Sequence, residues 1–390
     1  MKILFISHDA TRTGAPIVFL HFLRWFKKHS NIPFQILLRR TGELENEFKS
    51  LAPVDTFTPG KRTFIQKALD KLGIFGATEK KHFERLKRKL SKERISLIYV
   101  NTIDPGIVLE FLSFLKCPVI CHIHELEYVI TRWHGPKNTS LIKKYTTEYI
   151  AVSKAVQSNL ITNHQIPPQF INVIYEFIPP CPYSSVELQT IKQKIRMQHK
   201  IPQQAYLVCG SGTIEHRKGV DLFLKIAQTI IQANAGMEIH FIWVGGDGPA
   251  LDDMRKQTSD AMLENRVHFI GKQDNALDFF AASDVFLVSS REDPFPLVML
   301  EAASVGKPII CFADAGGARE FVESDAGFVI ENFDLRGAEA CILKLLNSPE
   351  LSSQLGTKAK KKIEASHTPD LSCPKILKII SRYIDGQRIN

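Results

Sequence analysis

No stretch of the 390 residues approaches the 18 consecutive apolar residues that a membrane-spanning helix needs. The opening run Met1–Ile6 is too short for the core of a signal peptide and is cut off by Ser7-His8-Asp9. Cysteine is scarce and unpatterned. Cys117, Cys121, Cys181, Cys209, Cys311, Cys341 and Cys373 make an odd number with no C-x-x-C pair, and several sit in apolar runs such as Leu207-Val208-Cys209. That excludes a disulfide framework and predicts reduced core thiols in a cytoplasmic protein. A peripheral position at the inner face of the cell membrane stays compatible with these absences. Short repeats and low-complexity tracts are also missing.

What is present describes a globular chain: 44% hydrophobic and 23% charged residues, with a mean hydropathy of −0.07, near the soluble average. The length predicts two domains, each with its own core. The formal net charge is +9 and lies unevenly: residues 1–180 carry 26 Lys/Arg against 15 Asp/Glu, whereas residues 181–390 carry 24 against 26. Residues 60–94 alone hold 12 basic and 4 acidic residues. An excess of this kind points to an anionic partner: nucleic acid, an anionic membrane or a phosphorylated small molecule.

Short β-branched runs alternate with stretches of helical period. Strands are expected at Lys2–Ser7, Phe34–Leu38, Leu97–Asn101, Val119–Ile123, Tyr149–Val152, Tyr206–Gly210, Ile239–Val244, Val267–Ile270, Val285–Ser289 and Lys307–Phe312, with helices such as Ile17–Lys28 and Val220–Ala233 between them. This alternation predicts an α/β architecture of doubly wound parallel sheets. The pattern starts twice, at Met1 and at Ala205. The proline-dense piece Ile178-Pro179-Pro180-Cys181-Pro182 suits a linker. The expected organisation is an N-terminal domain over 1–180, a second domain over 181–370 and a last helix over 371–390 that packs back on the first.

Open parallel sheets bind ligands beyond the carboxyl ends of their strands, where helix N-termini offer free N–H groups to anions. After Tyr206–Gly210 comes Gly212-Thr213-Ile214-Glu215-His216-Arg217-Lys218-Gly219. Arg217 and Lys218 suit a diphosphate, the arginine as a fork and the lysine as a point charge; a solvated basic turn is the plainer reading. The spacing matches neither a dinucleotide fingerprint nor a P-loop. After Val285–Ser289 comes Arg291-Glu292-Asp293-Pro294-Phe295-Pro296 and a helix carrying Glu301. A carboxylate accepts two hydrogen bonds from a vicinal diol, so Asp293 and Glu301 suit sugar hydroxyls, and the N–H groups of Leu297 and Val298 suit phosphate oxygens. A dipole-complementing acidic turn explains Asp293 as cheaply, but Glu301 poorly.

Strand Val119–Ile123 runs into His122-Ile123-His124, which places both histidines on one face. One pair supplies too few ligands for a metal. His122 reads as a core histidine, and His124 lies nearest the strand's end. Gly14-Ala15-Pro16 closes the first strand's loop, where a missing side chain permits close approach to a ligand.

Together these residues resemble the retaining nucleotide-sugar glycosyltransferases of family 4, the glycosyl transferases group 1, with the GT-B fold: two Rossmann-like domains facing across a cleft. Matching stretches are Lys2–Gly14, Gly212–Asp221, Trp243–Pro249, Val267–Gly271, Ala282–Ala303 and Gly306–Gly327. The resemblance implies that Lys218, helped by Arg217, binds the donor diphosphate, that Glu301 binds the ribose, and that Asp293 contacts the donor sugar. It implies that His124 approaches the transferred sugar and that the Gly14 loop closes over the phosphates. Two positions depart from the family pattern: Thr213 stands where an arginine is usual, and Asp293 replaces a glutamate.

The resemblance also implies transfer with retained configuration, no essential metal and no cofactor, from a UDP- or GDP-linked sugar to a saccharide or lipid-linked saccharide, in cell-surface polysaccharide or glycolipid synthesis. A nucleotide-sugar epimerase of the same fold and a non-catalytic carbohydrate- or membrane-binding relative are the alternatives. For residues 61–94, Phe64, Ile65, Ala68, Leu69, Leu72, Phe83, Leu86 and Leu90 fall at helical spacing among basic residues. Solvated helices and a helix lying on an anionic bilayer both fit that pattern. Nucleic acid does not, for want of a recognition module.

Overall fold

The computed structural model describes residues 1–58 and 75–384. The chain divides into two compact units: Met1–Tyr175 together with the chain from Pro369 on, and Glu176–Thr368. Each is built on one wholly parallel sheet.

In unit 1 the strands are β1 (Lys2–Ser7), β2 (Phe34–Leu38), β3 (Val54–Thr56), β4 (Ile95–Asn101), β5 (Val119–Ile123), β6 (Glu148–Ala151) and β7 (Ile171–Val173), in the order β3-β2-β1-β4-β5-β6-β7. In unit 2 they are β8 (Tyr206–Ser211), β9 (Ile239–Val244), β10 (Val267–Gly271), β11 (Val285–Val288), β12 (Ile309–Phe312) and β13 (Gly327–Ile330), in the order β10-β9-β8-β11-β12-β13. Both orders reverse direction beside the first strand, between β1 and β4 and between β8 and β11. Those two switch points are where a doubly wound sheet leaves a crevice at its carboxyl edge.

Burial of both sheet faces explains the apolar runs. Phe5 of β1 meets Phe19, Phe22, Phe26, Phe34 and Tyr99 edge-on, with ring centroids 5.4 to 5.9 Å apart. In unit 2 the helix Val220–Ala233 buries Val220, Phe223, Leu224, Ile226, Ala227 and Ile230, and Phe223 packs on Phe241 and Trp243. Burying one such aromatic side chain contributes about 2–3 kcal/mol.

The central strands and the helix Val220–Ala233 lie where periodicity puts them. Periodicity overlooks β3, β7 and β13, sheet-edge strands of three or four residues whose partial burial leaves no apolar run to read. The strand expected from Lys307 starts at Ile309, because Pro308 has no N–H to pair. The last helix spans Pro369–Ile384 and belongs to unit 1. There Trp25 Nε1 donates to Asp370 at 2.8 Å, and Arg382 and Tyr383 both donate to Glu148, at 2.7 and 2.5 Å.

Phe64, Ile65, Ala68, Leu69 and Leu72 of the basic stretch lie outside the described residues. The helix Phe75–Ser91 lies within them. Its Leu86 and Leu90 are buried, and Phe83 packs on Phe57 and Phe111 at 5.1 and 5.6 Å. This apolar stripe is spent inside unit 1, which corrects the picture of a helix laying Phe83, Leu86 and Leu90 into lipid. What the helix exposes is mostly cationic: Lys80, Lys81, Arg85, Lys87, Arg88 and Lys89, with Glu84 among them. No described helix is long and apolar enough to cross a membrane.

Candidate active site

At the unit 2 switch point four loops, following β8, β9, β11 and β12, are stitched together. Lys218 Nζ donates to Asp293 Oδ2 at 2.6 Å, with the two side chains 16% and 6% exposed. The pair unites the loop after β8 with the loop after β11, 75 residues on. Gly219 makes this approach possible. Its φ is +64°, and a Cβ there would lie 1.9 Å from the Ser289 carbonyl oxygen. Ser289 Oγ donates to the Lys218 carbonyl at 3.1 Å. The turn after β12 joins through Asp293, whose N–H donates to Ala315 O at 2.6 Å and whose carbonyl accepts from Gly317 at 3.1 Å. The end of β9 joins through Trp243 Nε1, which donates to Gly212 O at 3.1 Å, and the turn after it through Gly245, where a Cβ would lie 2.4 Å from the same oxygen.

Arg217 lies beside this pair but its fork is engaged within the loops. One guanidinium nitrogen donates to Glu215 Oε1 at 2.8 Å and another to Glu292 O at 3.1 Å, while its buried Nε has no partner. Thr213 also donates to Glu215, at 2.8 Å. Sequence spacing offers Arg217 and Lys218 as equals, whereas the fold aims only Lys218 at Asp293. The helix Leu297–Ser304 has no side-chain cap, so the N–H groups of Leu297 and Val298 remain as donors at its positive end. One turn further, Glu301 is half-buried, and burial lifts its carboxyl to about 7. Its carboxylate makes no hydrogen bond or ion pair with any described residue.

At the unit 1 switch point the histidines take separate roles. His122 is buried and bonded through Nδ1 to the Tyr99 hydroxyl at 2.7 Å; burial holds it well below the usual histidine range. His124 is half-buried with its ring 4.3 Å from that of His122. Its Nε2 meets Asn101 Oδ1 at 2.9 Å, and its N–H donates to Glu125 Oε2 at 2.9 Å. Gly14 opens the first helix, Gly14–His29, and is exposed, with no side-chain cap at Thr13.

Around His124 stands a polar group that sequence motifs did not single out. Asp104 accepts from Arg39 and from His134 Nδ1, the latter at 3.0 Å. Burial opposes its ionisation, but these two bonds prevail and hold it below the usual carboxylate range. Glu125 is buried, and burial raises it, although its Oε2 also accepts from Ile103 N at 3.2 Å. Asn101, Asp104 and Glu125 all lie at or just past the ends of β4 and β5, so the rule of searching beyond strand ends had the means to find them. No group of three His, Cys, Asp or Glu among the described residues is arranged to hold a metal.

Residues 191–362 match the family model for glycosyl transferases group 1, and residues 70–180 match the model for glycosyltransferase family 4. Among curated proteins, the chain is 25% identical over 304 residues to N-acetyl-alpha-D-glucosaminyl L-malate synthase of Bacillus anthracis, covering 75% of this chain and 74% of that protein. It is 29% identical over 188 residues to the lipopolysaccharide core biosynthesis glycosyltransferase LpsD of Rhizobium meliloti, covering 47% of this chain and 50% of that one. Among solved structures, HepE of Anabaena in complex with UDP superposes with a TM-score of 0.77 at 20% identity, over 98% of this chain and 100% of that one. HepE has also been solved with UDP-glucose. Two Rossmann-like parallel sheets, a GT-B fold shared along the whole chain and two family models that between them cover most of it lead to one conclusion: the chain belongs to the glycosyltransferases of group 1, family 4.

Proposed function

We propose that this glycosyltransferase moves a sugar from a UDP- or GDP-linked donor to a saccharide or lipid-linked saccharide acceptor, retaining the anomeric configuration, in the synthesis of a cell-surface polysaccharide or glycolipid. One observation carries the reading: the Lys218–Asp293 pair stands beside an uncapped helix whose first turn offers the Leu297 and Val298 N–H groups and whose next turn carries an uncommitted Glu301. A cation and two N–H donors suit a diphosphate, and two carboxylates suit sugar hydroxyls. The HepE complexes with UDP and UDP-glucose support a nucleotide-sugar donor, and the name of the LpsD relative supports a glycolipid product.

In this reading Lys218 leaves Asp293 for the diphosphate, Asp293 turns to a sugar hydroxyl, and Glu301 accepts from the ribose diol. Arg217, fixed on Glu215, adds positive potential rather than a direct fork. As the bond from the anomeric carbon to the leaving phosphate oxygen breaks, negative charge grows on the diphosphate, where Lys218 and the helix dipole stabilise it. The acceptor oxygen bonds to the same face of the sugar, and its proton passes to the leaving phosphate. The family resemblance assigns His124 to the transferred sugar and the Gly14 turn to the phosphates. Charge neutralisation by these groups requires no cofactor and no essential metal.

Screening the protein against nucleotide sugars for thermal stabilisation identifies the donor, because a ligand of the native state raises apparent stability. Transfer from that donor to an added saccharide, with the product anomer assigned by NMR, is the expected result. Product formed without acceptor indicates an epimerase instead, and stabilisation without turnover a binding protein. If Lys218→Ala and Glu301→Ala leave transfer unchanged, the site assignment is wrong. We also propose that the cationic face of the helix Phe75–Ser91 holds the protein at an anionic membrane surface, by charge alone now that its apolar stripe is internal. Neutralising Lys80, Lys81, Arg85, Lys87 and Arg88 should abolish flotation with acidic vesicles at low salt, while neutral vesicles should bind neither form.

A further inference from the structure

We infer that Asn101 is a positioning residue for the transfer step: it fixes the ring and the tautomer of His124 and ties that ring to the turn that opens the first helix. The inference deepens the proposed function, since it rests on His124 meeting the transferred sugar.

Asn101 is the last residue of β4, paired in register with Ser7 of β1 and His122 of β5, so it stands at the switch point of the sheet. It is fully buried. Its Nδ2 donates to Ala15 O at 3.0 Å, and its Oδ1 faces His124 Nε2 at 2.9 Å. A backbone carbonyl only accepts, so the amide nitrogen must lie toward Ala15 and the amide oxygen toward the imidazole. A carbonyl oxygen likewise only accepts, so His124 Nε2 must carry the proton. Neutral His124 is thereby held as the Nε2–H tautomer.

The surrounding backbone holds this arrangement from both sides. Glu125 Oε2 accepts from the N–H groups of His124 and Ile103, tying together the segments after β5 and β4. Thr102, the residue after Asn101, has φ +91°. A β-branched side chain in that region is strained, and surrounding contacts must hold it there. Its N–H donates to His122 O at 2.7 Å. Two short bonds through one amide therefore link the Gly14-Ala15-Pro16 turn to the His124 ring, so the group at the phosphates and the group at the sugar cannot shift independently.

The test is a double-mutant cycle of Asn101→Ala and His124→Ala in the full chain, with kcat, donor KM and the pH profile of kcat measured for each. Asn101→Ala should lower kcat by about 30-fold, in line with the cost of a misplaced group, with donor KM within about three-fold of the parent. It should have little further effect in the His124→Ala background. Asn101→Asp keeps an acceptor at Nε2, so it should recover part of the loss. Its carboxylate favours the imidazolium, so activity that needs neutral His124 should fall at a higher pH than in the parent. Full additivity of the two alanine changes, or equal losses in Asn101→Ala and Asn101→Asp with unmoved pH profiles, overturns the positioning role and leaves the site reading intact. An unimpaired His124→Ala, beside an inactive Lys218→Ala, overturns the reading of His124 itself.

Discussion

The carboxyl edges of the two sheets handle charge in opposite ways. In unit 2 a lysine and a carboxylate, both largely buried, are paired with each other, and a second carboxylate, Glu301, is left uncommitted. In unit 1 the carboxylates are fully occupied: Asp104 by Arg39 and His134, Glu125 by two backbone N–H groups. The first arrangement stores interactions that a charged ligand can take over. The second is satisfied without a ligand and serves to hold a ring in place. The difference suggests that unit 2 supplies binding energy and unit 1 supplies alignment.

The largest effect expected from that contrast is on transfer. Lys218→Ala should lower kcat/KM by about 10³-fold, because a fixed donor is removed from the oxygen that gains charge in the transition state. Steady-state kinetics with the identified donor checks this, and a change below ten-fold breaks the division of labour. Next comes stability. Removing Lys218 leaves the Asp293 carboxylate without its cation, held only by Ser290 Oγ at 3.4 Å in a site where it is 6% exposed, at a cost of about 3 kcal/mol. Lys218→Ala combined with Asp293→Asn should recover most of that in chemical denaturation without recovering activity. In unit 1 the loss of one donor leaves a closer second one, His134 on Asp104 at 3.0 Å and a backbone N–H on Glu125 at 2.9 or 3.2 Å, so a single substitution there should cost less.

Glu301 gives a smaller effect with a definite sign. Burial raises its carboxyl from 4.5 to about 7, so between those values the folded state binds more protons than the unfolded one. Stability from this group is therefore present below about pH 4.5 and is lost as pH rises through about 7, by about 3 kcal/mol in all. Glu301→Gln should remove that slope from the pH dependence of unfolding. A ribose diol donates to the ionised form, so affinity for the nucleotide sugar should weaken as pH falls below about 7 in the parent and stay flat in Glu301→Gln, as calorimetry would report.

The same contrast explains what could be read without a structure. Lys218 and Asp293 sit in loops directly after strands and Glu301 in the helix that follows the second loop, and their residue types carry their chemistry, so strand prediction marks each as a candidate and the family resemblance groups them at one donor. The engagement of Arg217 with Glu215 is not legible in this way, because two adjacent cations look alike until the loop's turn assigns one inward and one along the loop. In unit 1 the ring of interest is held by Asn101, Glu125 and Ala15, which come from three separate segments and have side chains or carbonyls of ordinary type. Only the sheet order, which places β1, β4 and β5 side by side, reveals that they meet. The sheet-edge strands β3, β7 and β13 escaped for a related reason: three or four partly buried residues carry too little periodicity.

The most direct test of binding in one unit and alignment in the other is to measure affinity for the nucleoside diphosphate of the identified donor, and kcat, on Lys218→Ala and His124→Ala full-length proteins side by side. Lys218→Ala should lose at least ten-fold in affinity, whereas His124→Ala should bind within about two-fold of the parent yet transfer about 30-fold more slowly. Equal losses of affinity in the two variants, or unchanged binding in Lys218→Ala, would contradict the account.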